Sequence, residues 1–439
     1  MDANFYNLLF IFYYHGTYIS FGFVSEDSYI KTLIVYLTIQ YEKNMNILFL
    51  HRIWPSYGGG ETVTKCLANE LTERGYNIHI LYFKKSIKKN EDSDVNSKIT
   101  QTLIPNVSFN ETSKEFFVNK KEAKYVSKFT IEYILKNKID FIINQWWPIE
   151  FLNNVRNQTN AKIIKCLHMD PDTKRVFHFN GAFGLLFKII LPSYRYIERK
   201  KHIYSLDKYI NHSDLLIFLS PSFLNFYRLQ KGNKKNIVLK TDFVYNPLVY
   251  NIDSPINIRQ KENIVLFVGR LLEKHKQLSR ILYAWKKIEI QNDHNNWKLI
   301  IVGDGPSKEL YQQLSQKLGL KKIEFTGYQN PLQYYQKASI FVMSSAYEGF
   351  PMTLVESLQN SVVPIVMDTY SSLHDIITNN VNGIIVPNGN IKAFSDAIYN
   401  LIINNKKREQ MATLGYDSCK KYHIKTIVDK WEDIFHKIK

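Results

Sequence analysis

In the first half of the chain, short apolar runs alternate with amphipathic segments. Residues 46–52 form an apolar run typical of a buried strand, and residues 53–60 are typical of a loop. Residues 61–74 carry apolar side chains at helical spacing, and residues 77–83 predict a second strand. Repeated strand, loop and helix units of this kind indicate a doubly wound α/β fold.

The same opening recurs in the second half. Residues 263–269 form another apolar strand, followed by a helix predicted over 277–288 and a strand over 298–302. Two Rossmann-like units are therefore expected. Their junction is expected near residues 246–260, where two prolines interrupt regular structure.

These patterns predict the domain limits. The N-terminal domain is expected over 45–250 and the C-terminal domain over 251–423. Residues 424–439 predict a final helix, since four large apolar residues recur there at helical spacing: Ile427, Trp431, Ile434 and Phe435. A length of 439 residues agrees with two cores rather than one.

Residues 1–44 differ from the rest. They are rich in aromatic residues and lack a basic leader, a clear cleavage site and an apolar stretch long enough to cross a bilayer. We expect them to be a poorly packed upstream extension, with Met45 as the native start.

Composition narrows the class of protein. With 45% hydrophobic residues the chain can bury substantial cores, and no apolar run reaches the roughly 18 residues of a spanning helix. The three cysteines are far apart, which favours a reducing, cytoplasmic compartment. The net charge of +17 admits a nucleic acid, an anionic membrane or an acidic substrate, but no nucleic-acid-binding motif accompanies it. No nucleic-acid partner is expected.

The most informative segment places two carboxylates, Glu348 and Glu356, around a Gly-Phe-Pro turn. The turn follows an apolar strand and precedes a helix-forming stretch, so the free N–H groups of residues 352–354 should face the strand's carboxyl edge. A phosphate fits there, and carboxylates accept paired sugar hydroxyls. A nucleotide sugar supplies both groups. The alternative is a solvated loop acid and a surface helix acid.

This segment resembles the E-x7-E signature of retaining family 4 glycosyltransferases of the GT-B fold. Three more pieces of that pattern stand in order: residues 268–271 with Lys274 and Lys276, residues 302–306, and residues 58–61. The resemblance runs from about residue 45 to the C-terminus. It implies two Rossmann-like domains facing a cleft, with the last helix crossing back to the N-terminal domain. It also implies metal-independent transfer from a nucleotide-diphosphate sugar, as in the biosynthesis of bacterial polysaccharide or lipopolysaccharide.

The resemblance assigns roles to residues. Glu356 would bind the ribose, and Glu348 with the Gly349–Phe350 backbone would contact the sugar. The diphosphate would lie against Arg270, Lys276 and the helix start at Thr353 and Leu354, with Lys274 as the alternative lysine. The remaining candidates are a histidine expected to reach the donor sugar or the acceptor and three loop glycines: His168, Gly59, Gly60 and Gly303. No cofactor is expected besides the co-substrate.

Two alternatives use other motifs. The glycine-rich loops at 58–63 and 303–308 lack the last glycine of a dinucleotide-binding loop and the ending of a P-loop, and Gly303 could simply shape a tight turn. Asp170 and Asp172 follow an apolar strand, as do the manganese ligands of GT-A glycosyltransferases. A metal-dependent GT-A enzyme therefore stays open as an alternative.

A further segment predicts membrane contact. Residues 177–193 are largely apolar and aromatic, and residues 194–202 are basic and aromatic. Apolar insertion beside cations is typical of an interfacial segment on anionic lipid. The partners expected are thus a nucleotide sugar, a glycan or lipid-linked acceptor and the inner face of the cytoplasmic membrane. An ordinary core helix with a solvated face is the alternative.

Overall fold

The computed structural model describes most of the chain. The described residues are 11–14, 17–20, 45–55, 59–85, 94–108, 120–172, 182–250, 252, 256, 258–291 and 296–439. Most of the predicted extension before Met45 lies outside them; its described part is a pair of antiparallel strands, residues 11–14 and 17–20. Among the described residues, no helix is long and apolar enough to cross a membrane.

The N-terminal domain is built on a seven-stranded parallel sheet. The elements in chain order are β1 (Ile11–Tyr14), β2 (Thr17–Ser20), β3 (Asn46–Leu50), β4 (Ile53–Trp54), α1 (Gly59–Glu73), β5 (Asn77–Tyr82), β6 (Lys84–Lys85), β7 (Thr100–Leu103), α2 (Lys120–Lys136), β8 (Phe141–Asn144), α3 (Ile149–Gln158), β9 (Lys162–Cys166), α4 (Ala182–His212), β10 (Leu215–Phe218), α5 (Pro221–Gln230), α6 (Lys235–Leu239) and β11 (Thr241–Phe243). The strand order is β11-β10-β9-β8-β3-β5-β7. The central strands are buried along almost their whole length, as parallel strands covered on both faces must be.

The C-terminal domain is a second parallel sheet, of six strands. Its elements are a 3-10 turn (Ile258–Gln260), β12 (Ile264–Val268), α7 (Glu273–Lys276), α8 (Leu278–Ile290), β13 (Lys298–Val302), α9 (Lys308–Lys317), β14 (Ile323–Gly327), α10 (Leu332–Lys337), β15 (Ile340–Met343), α11 (Met352–Gln359), β16 (Val363–Asp368), α12 (Leu373–Ile376), β17 (Ile384–Pro387), α13 (Ile391–Ile403), α14 (Asn405–Ser418), a 3-10 turn (Lys420–Tyr422) and α15 (Ile424–Ile438). The strand order is β14-β13-β12-β15-β16-β17.

The last helix packs on the N-terminal domain. Five of its apolar side chains are buried in the same core as the strands β3, β5 and β8: Ile427, Val428, Trp431, Ile434 and Phe435. Arg74, just after α1, fixes the helix by donating to Asp429 at 2.6 Å and to Glu432 at 2.7 Å. The doubly wound α/β prediction and the crossing helix are confirmed.

Local differences from the predicted elements have physical causes. The first strand ends at Leu50 rather than at residue 52, because the chain then turns into the short strand β4, which pairs with β6. The helix predicted over 277–288 is α8, which begins at Leu278, and the unpredicted short helix α7 precedes it. Gln277 adopts a left-handed φ of 48°, which ends α7 before α8 begins.

Candidate active site

The two sheets approach each other at their carboxyl edges. His168 follows β9 of the N-terminal sheet, and Gly349 follows β15 of the C-terminal sheet. A Cβ atom built on Gly349 would lie 2.1 Å from the carbonyl oxygen of His168. Such a distance leaves no room for any side chain, so only glycine permits this contact between the two domains. The predicted residues His168 and Gly349 are therefore neighbours.

Glu348 forms an ion pair with Lys276. The ammonium Nζ donates to the carboxylate Oε1 at 2.6 Å, and the two side chains are only 17% and 16% exposed. The Ser344 hydroxyl holds the end of α7 by donating to the carbonyl of Lys276 at 2.9 Å. A charge-assisted bond in this half-buried setting fixes both groups. Glu348 is therefore not a solvated loop acid.

The other cations near this edge are arranged differently. Lys274 lies on the same short helix but is exposed, so the structure brings Lys276 rather than Lys274 to Glu348. Arg270, just after β12, is also exposed and lies close enough to His275 to affect its charge. Burial lowers the pKa of His275, whose ring is 3.9 Å from that of Tyr347.

Glu356 lies in the second turn of α11 and is 8% exposed, so it is not a surface helix acid. The hydroxyl of the buried Tyr335 donates to its Oε2 at 3.0 Å. Burial raises the pKa of the Glu356 carboxyl to about 7, and the hydrogen bond from Tyr335 opposes that rise. Tyr335 was not among the residues predicted from the sequence.

Some of the backbone and side-chain groups at the start of α11 have partners within the chain. The Leu354 N–H, which the sequence predicted to be free, donates to the carbonyl of Pro351 at 3.0 Å, and its side chain is buried in the core. Phe350 is also buried, with its ring 5.7 Å from that of Tyr245 and 5.5 Å from that of Tyr422. The Thr353 carbonyl oxygen lies 3.2 Å from the Tyr335 hydroxyl and is a second possible acceptor for it.

Gly303 shapes the turn after β13. Its φ is 142°, which L side chains rarely adopt, and a Cβ there would lie 2.0 Å from the carbonyl oxygen of Gly269. Gly269 follows β12 and Gly303 follows β13. The backbones at these two neighbouring strand ends therefore lie too close together for a side chain at Gly303. This close approach gives Gly303 a structural role whether or not a ligand lies beside it.

The N-terminal side of the cleft is aromatic. The ring of His168 stacks on Trp146, with centroids 4.5 Å apart and an interplanar angle of 16°. Trp146 also lies against Gly60, where a Cβ would meet the indole at 2.1 Å. Gly59 begins α1, with open space around its Cβ position, and Gly58 lies outside the described residues. Burial lowers the pKa of His168 to about 3, so its imidazole is uncharged at neutral pH.

A second histidine, His51, was not predicted. It directly follows β3 and is fully buried, and neither ring nitrogen has a hydrogen-bond partner within the described part of the chain. Burial lowers the pKa of His51 to about 3, and the nearby His168 adds to this effect. Its place after the first strand was the available signal, because that edge of a parallel sheet carries the ligand sites.

Asp170 and Asp172, the metal ligands expected in the GT-A alternative, make contacts with other groups of the protein. Asp172 pairs with Arg199 at 2.8 Å, and its N–H donates to Asp170 Oδ1 at 2.8 Å. Among the described residues, no group of three or more potential metal ligands lies together.

The fold and the site define a class of protein. Two parallel-sheet domains that meet at their carboxyl edges, with a last helix returning to the first domain, form the GT-B fold, as predicted. This fold argues against the GT-A alternative based on Asp170 and Asp172. Residues 251–417 match the family model described as "Glycosyl transferases group 1". This part of the chain is similar to group 1 glycosyltransferases.

Solved structures share the fold across the chain. The apo form of the lipopolysaccharide outer core galactosyltransferase WaaB superposes with a TM-score of 0.63 at 19% identity, over 90% of this chain and 100% of that one. Anabaena HepE in complex with UDP superposes with a TM-score of 0.64 at 17% identity, over 89% and 100%.

Curated relatives match by sequence. The chain is 30% identical to the amylovoran biosynthesis glycosyltransferase AmsD of Erwinia amylovora, over 40% of this chain and 49% of the relative. It is 25% identical to the lipopolysaccharide 1,6-galactosyltransferase of Salmonella typhimurium, over 62% and 73%. The chain spans about half the length of the first curated relatives it matches.

Proposed function

We propose that the protein transfers a glycosyl group from a nucleotide-diphosphate sugar to a glycan or lipid-linked acceptor, with retention and without a metal ion. The observation that carries this proposal is the arrangement at one strand edge: the Lys276–Glu348 ion pair, the buried Glu356 nearby in sequence, and the facing His168 at the domain contact. Cations, a hydroxyl acceptor and a facing domain are what a nucleotide sugar and its acceptor require.

The reaction breaks the bond between the anomeric carbon and the diphosphate oxygen and forms one to an acceptor oxygen. Negative charge develops on the departing diphosphate, and Lys276 with Arg270 would stabilise it. The acceptor proton passes to the departing phosphate on the same face, which keeps the anomeric configuration. Glu348 would orient Lys276 and contact the sugar, and Glu356 would hold the ribose.

The names of two relatives support the proposed retention of configuration and the proposed type of acceptor. One relative is a Campylobacter jejuni α-1,4-N-acetyl-D-galactosaminyltransferase whose acceptor is an undecaprenol-linked saccharide, 30% identical over 41% of this chain. Another is the poly(glycerol-phosphate) α-glucosyltransferase of Bacillus subtilis. An α-product from an α-linked nucleotide sugar means retention. We infer an acceptor in the biosynthesis of surface polysaccharide or lipopolysaccharide.

The test begins with thermal unfolding in the presence of UDP-, GDP- and ADP-sugars. A bound donor at 100 times its dissociation constant adds about 2.7 kcal/mol of stability. Glu356→Ala should weaken nucleotide binding, and Glu348→Ala should mainly lower turnover. Transfer should persist in EDTA, and the product should keep the donor's anomeric configuration by NMR.

Other outcomes identify other functions. Salt-dependent retention on DNA without saturable nucleotide binding would indicate a nucleic-acid-binding protein. Donor binding without transfer or slow hydrolysis would indicate a nucleotide-sugar-binding protein. Loss of activity in EDTA would contradict the metal-free reaction.

We also propose that α4 contacts the anionic inner face of the cytoplasmic membrane. On its described part, one exposed face combines apolar and cationic side chains: Tyr196, Ile197, Lys200, Lys201, Tyr204 and Lys208. The Lys200 ammonium lies 4.6 Å from the centroid of the Tyr196 ring. Arg199 ties the helix to Asp172, four residues after His168, so α4 is attached to the N-terminal side of the cleft. The side chains of residues 182–192 lie outside the described residues.

Vesicles test this contact. The protein should co-sediment with phosphatidylglycerol vesicles at low salt and be released as the salt concentration rises. A Tyr196→Ser/Tyr204→Ser variant should lose most of this binding. Tyr283→Ser, which changes an exposed tyrosine of the C-terminal domain, is the matched control. Unchanged binding of the double variant would refute the assignment of the face.

A further inference from the structure

Tyr335 is a buried tyrosine of α10 whose hydroxyl faces two acceptors. It lies 3.0 Å from Glu356 Oε2 and 3.2 Å from the carbonyl oxygen of Thr353. A phenol has one proton to donate, so it satisfies one of these acceptors at a time. An ionised carboxylate is the stronger acceptor, so the Tyr335 hydroxyl donates its hydrogen bond to Glu356 when that side chain is charged.

The helices that carry Tyr335 and Glu356 are fixed to each other. The ammonium of Lys261 donates to the carbonyl of Tyr335 at 2.7 Å and to that of Asn360 at 2.6 Å. The Asn360 side chain donates in turn to the carbonyl of Glu356 at 2.9 Å. These bonds therefore keep the Tyr335 hydroxyl and the Glu356 carboxylate next to each other.

We propose that Tyr335 is a positioning residue that holds the Glu356 carboxylate in its ionised form and in the orientation that accepts the ribose hydroxyls of the donor. This inference rests on the proposed function, in which Glu356 binds the ribose. When Glu356 takes up a proton, the Tyr335 hydroxyl turns to the Thr353 carbonyl, and the carboxyl is released from its fixed orientation.

The surroundings of Glu356 set the pH range. Burial raises the pKa of Glu356 to about 7 and the bond from Tyr335 lowers it, so removing the hydroxyl raises it further. Tyr250 also interacts with Glu356 and with Tyr328. Lys261 changes charge in the same range, because burial lowers its pKa to about 7. Nucleotide binding should strengthen as the pH rises through 7, and in the Tyr335→Phe variant it should strengthen only at higher pH.

The experiment measures the affinity of the full chain for UDP, GDP and ADP by calorimetry between pH 6.5 and 9. Tyr335→Phe should bind the preferred nucleotide about 10-fold more weakly at pH 7, as expected for the loss of a hydrogen bond to a charged group. The difference from the wild type should shrink toward pH 9. A difference that stays constant with pH would assign Tyr335 to packing alone, and equal affinities would overturn the proposal outright.

Two further variants separate the causes. In a Glu356→Gln background, which has no carboxylate, Tyr335→Phe should no longer change the pH dependence, and this comparison removes the contribution of Lys261. Tyr283→Phe, an exposed hydroxyl on α8, should bind like the wild type. If the wild type binds none of the three nucleotides, the proposed function fails; if it binds and only the Tyr335 effect is missing, this inference fails alone.

Discussion

The two sides of the cleft have the same type of sheet and opposite chemistry. The C-terminal side presents an ion pair, Lys276 with Glu348, and a buried carboxylate, Glu356. The N-terminal side has two uncharged imidazoles: His168, which stacks on Trp146, and the fully buried His51, which lies beside Trp54. At the domain contact, the C-terminal side thus carries an ion pair and the N-terminal side carries a stacked aromatic pair, whereas the Asp172–Arg199 ion pair follows His168 in the chain.

The difference agrees with the proposed function, in which the donor lies on the C-terminal side and the acceptor on the N-terminal side. A diphosphate requires fixed cations whatever sugar it carries, so the donor side can be shared among many enzymes. The family match covers residues 251–417, which include the charged side and leave out the aromatic side. Aromatic faces and neutral imidazoles suit the hydroxylated and apolar surface of a saccharide. The N-terminal side is therefore where we expect specificity to arise.

The largest effect is expected on the charged side. Lys276→Met removes the cation bonded to Glu348 and leaves a largely buried carboxylate beside the proposed diphosphate site. Turnover should fall about 10²–10³-fold, as when one fixed donor to a developing anion is lost. Steady-state transfer rates at saturating donor measure this.

Lys274→Met is the matched control for that change. Lys274 lies on the same short helix but is exposed, so its loss should change turnover little. The reverse result, with Lys274 essential and Lys276 dispensable, would move the diphosphate to the outer face of α7.

The contact between the two sides is tested at Gly349. Gly349→Ala places a Cβ where the His168 carbonyl oxygen now lies 2.1 Å away, so the two domains must separate. Transfer should fall about 100-fold, since a displacement of about 1 Å is enough for such a loss. Nucleotide affinity should be retained, because the residues proposed to bind the nucleotide belong to the C-terminal domain.

Gly389→Ala provides the baseline for this substitution. Nothing lies within 4 Å of its Cβ position, and it carries only the strain of a positive φ of 77°. If Gly349→Ala loses nucleotide affinity together with transfer, Gly349 supports the donor side itself and the contact with His168 is secondary.

The sequence predicted the candidate site best where the functional residues follow predicted strands. Glu348 and Lys276 lie after the neighbouring parallel strands β15 and β12, so strand prediction alone brings them to one edge. The sequence did not decide whether Lys274 or Lys276 lies beside Glu348, because this depends on where α7 ends, at the left-handed Gln277.

Contacts between elements far apart in sequence were not predictable. Tyr335 reaches Glu356 across 21 residues and an intervening strand, and no local pattern encodes the angle between α10 and α11. His51 carries no motif, and its burial depends on aromatic residues such as Trp54, whose ring centroid lies 4.9 Å away. Patterns identify which residues reach a sheet edge, and packing decides which of them meet.

The smallest expected effect concerns stability on the aromatic side. The pKa of His51 is about 3 in the folded chain and about 6.5 when unfolded, so the unfolded state binds more protons between these values. Stability from this residue is therefore full above pH 6.5 and falls as the pH drops, by about 2 kcal/mol at pH 5. His51→Phe removes the proton uptake and should lose less stability than the wild type between pH 7.5 and pH 5. Denaturant unfolding at both pH values measures the difference, with His436→Gln, an exposed histidine of α15, as the control. If His51→Phe and the wild type show the same pH dependence, the imidazole already finds a proton or a partner in the folded protein, and the contrast between a charged side and an uncharged side no longer holds.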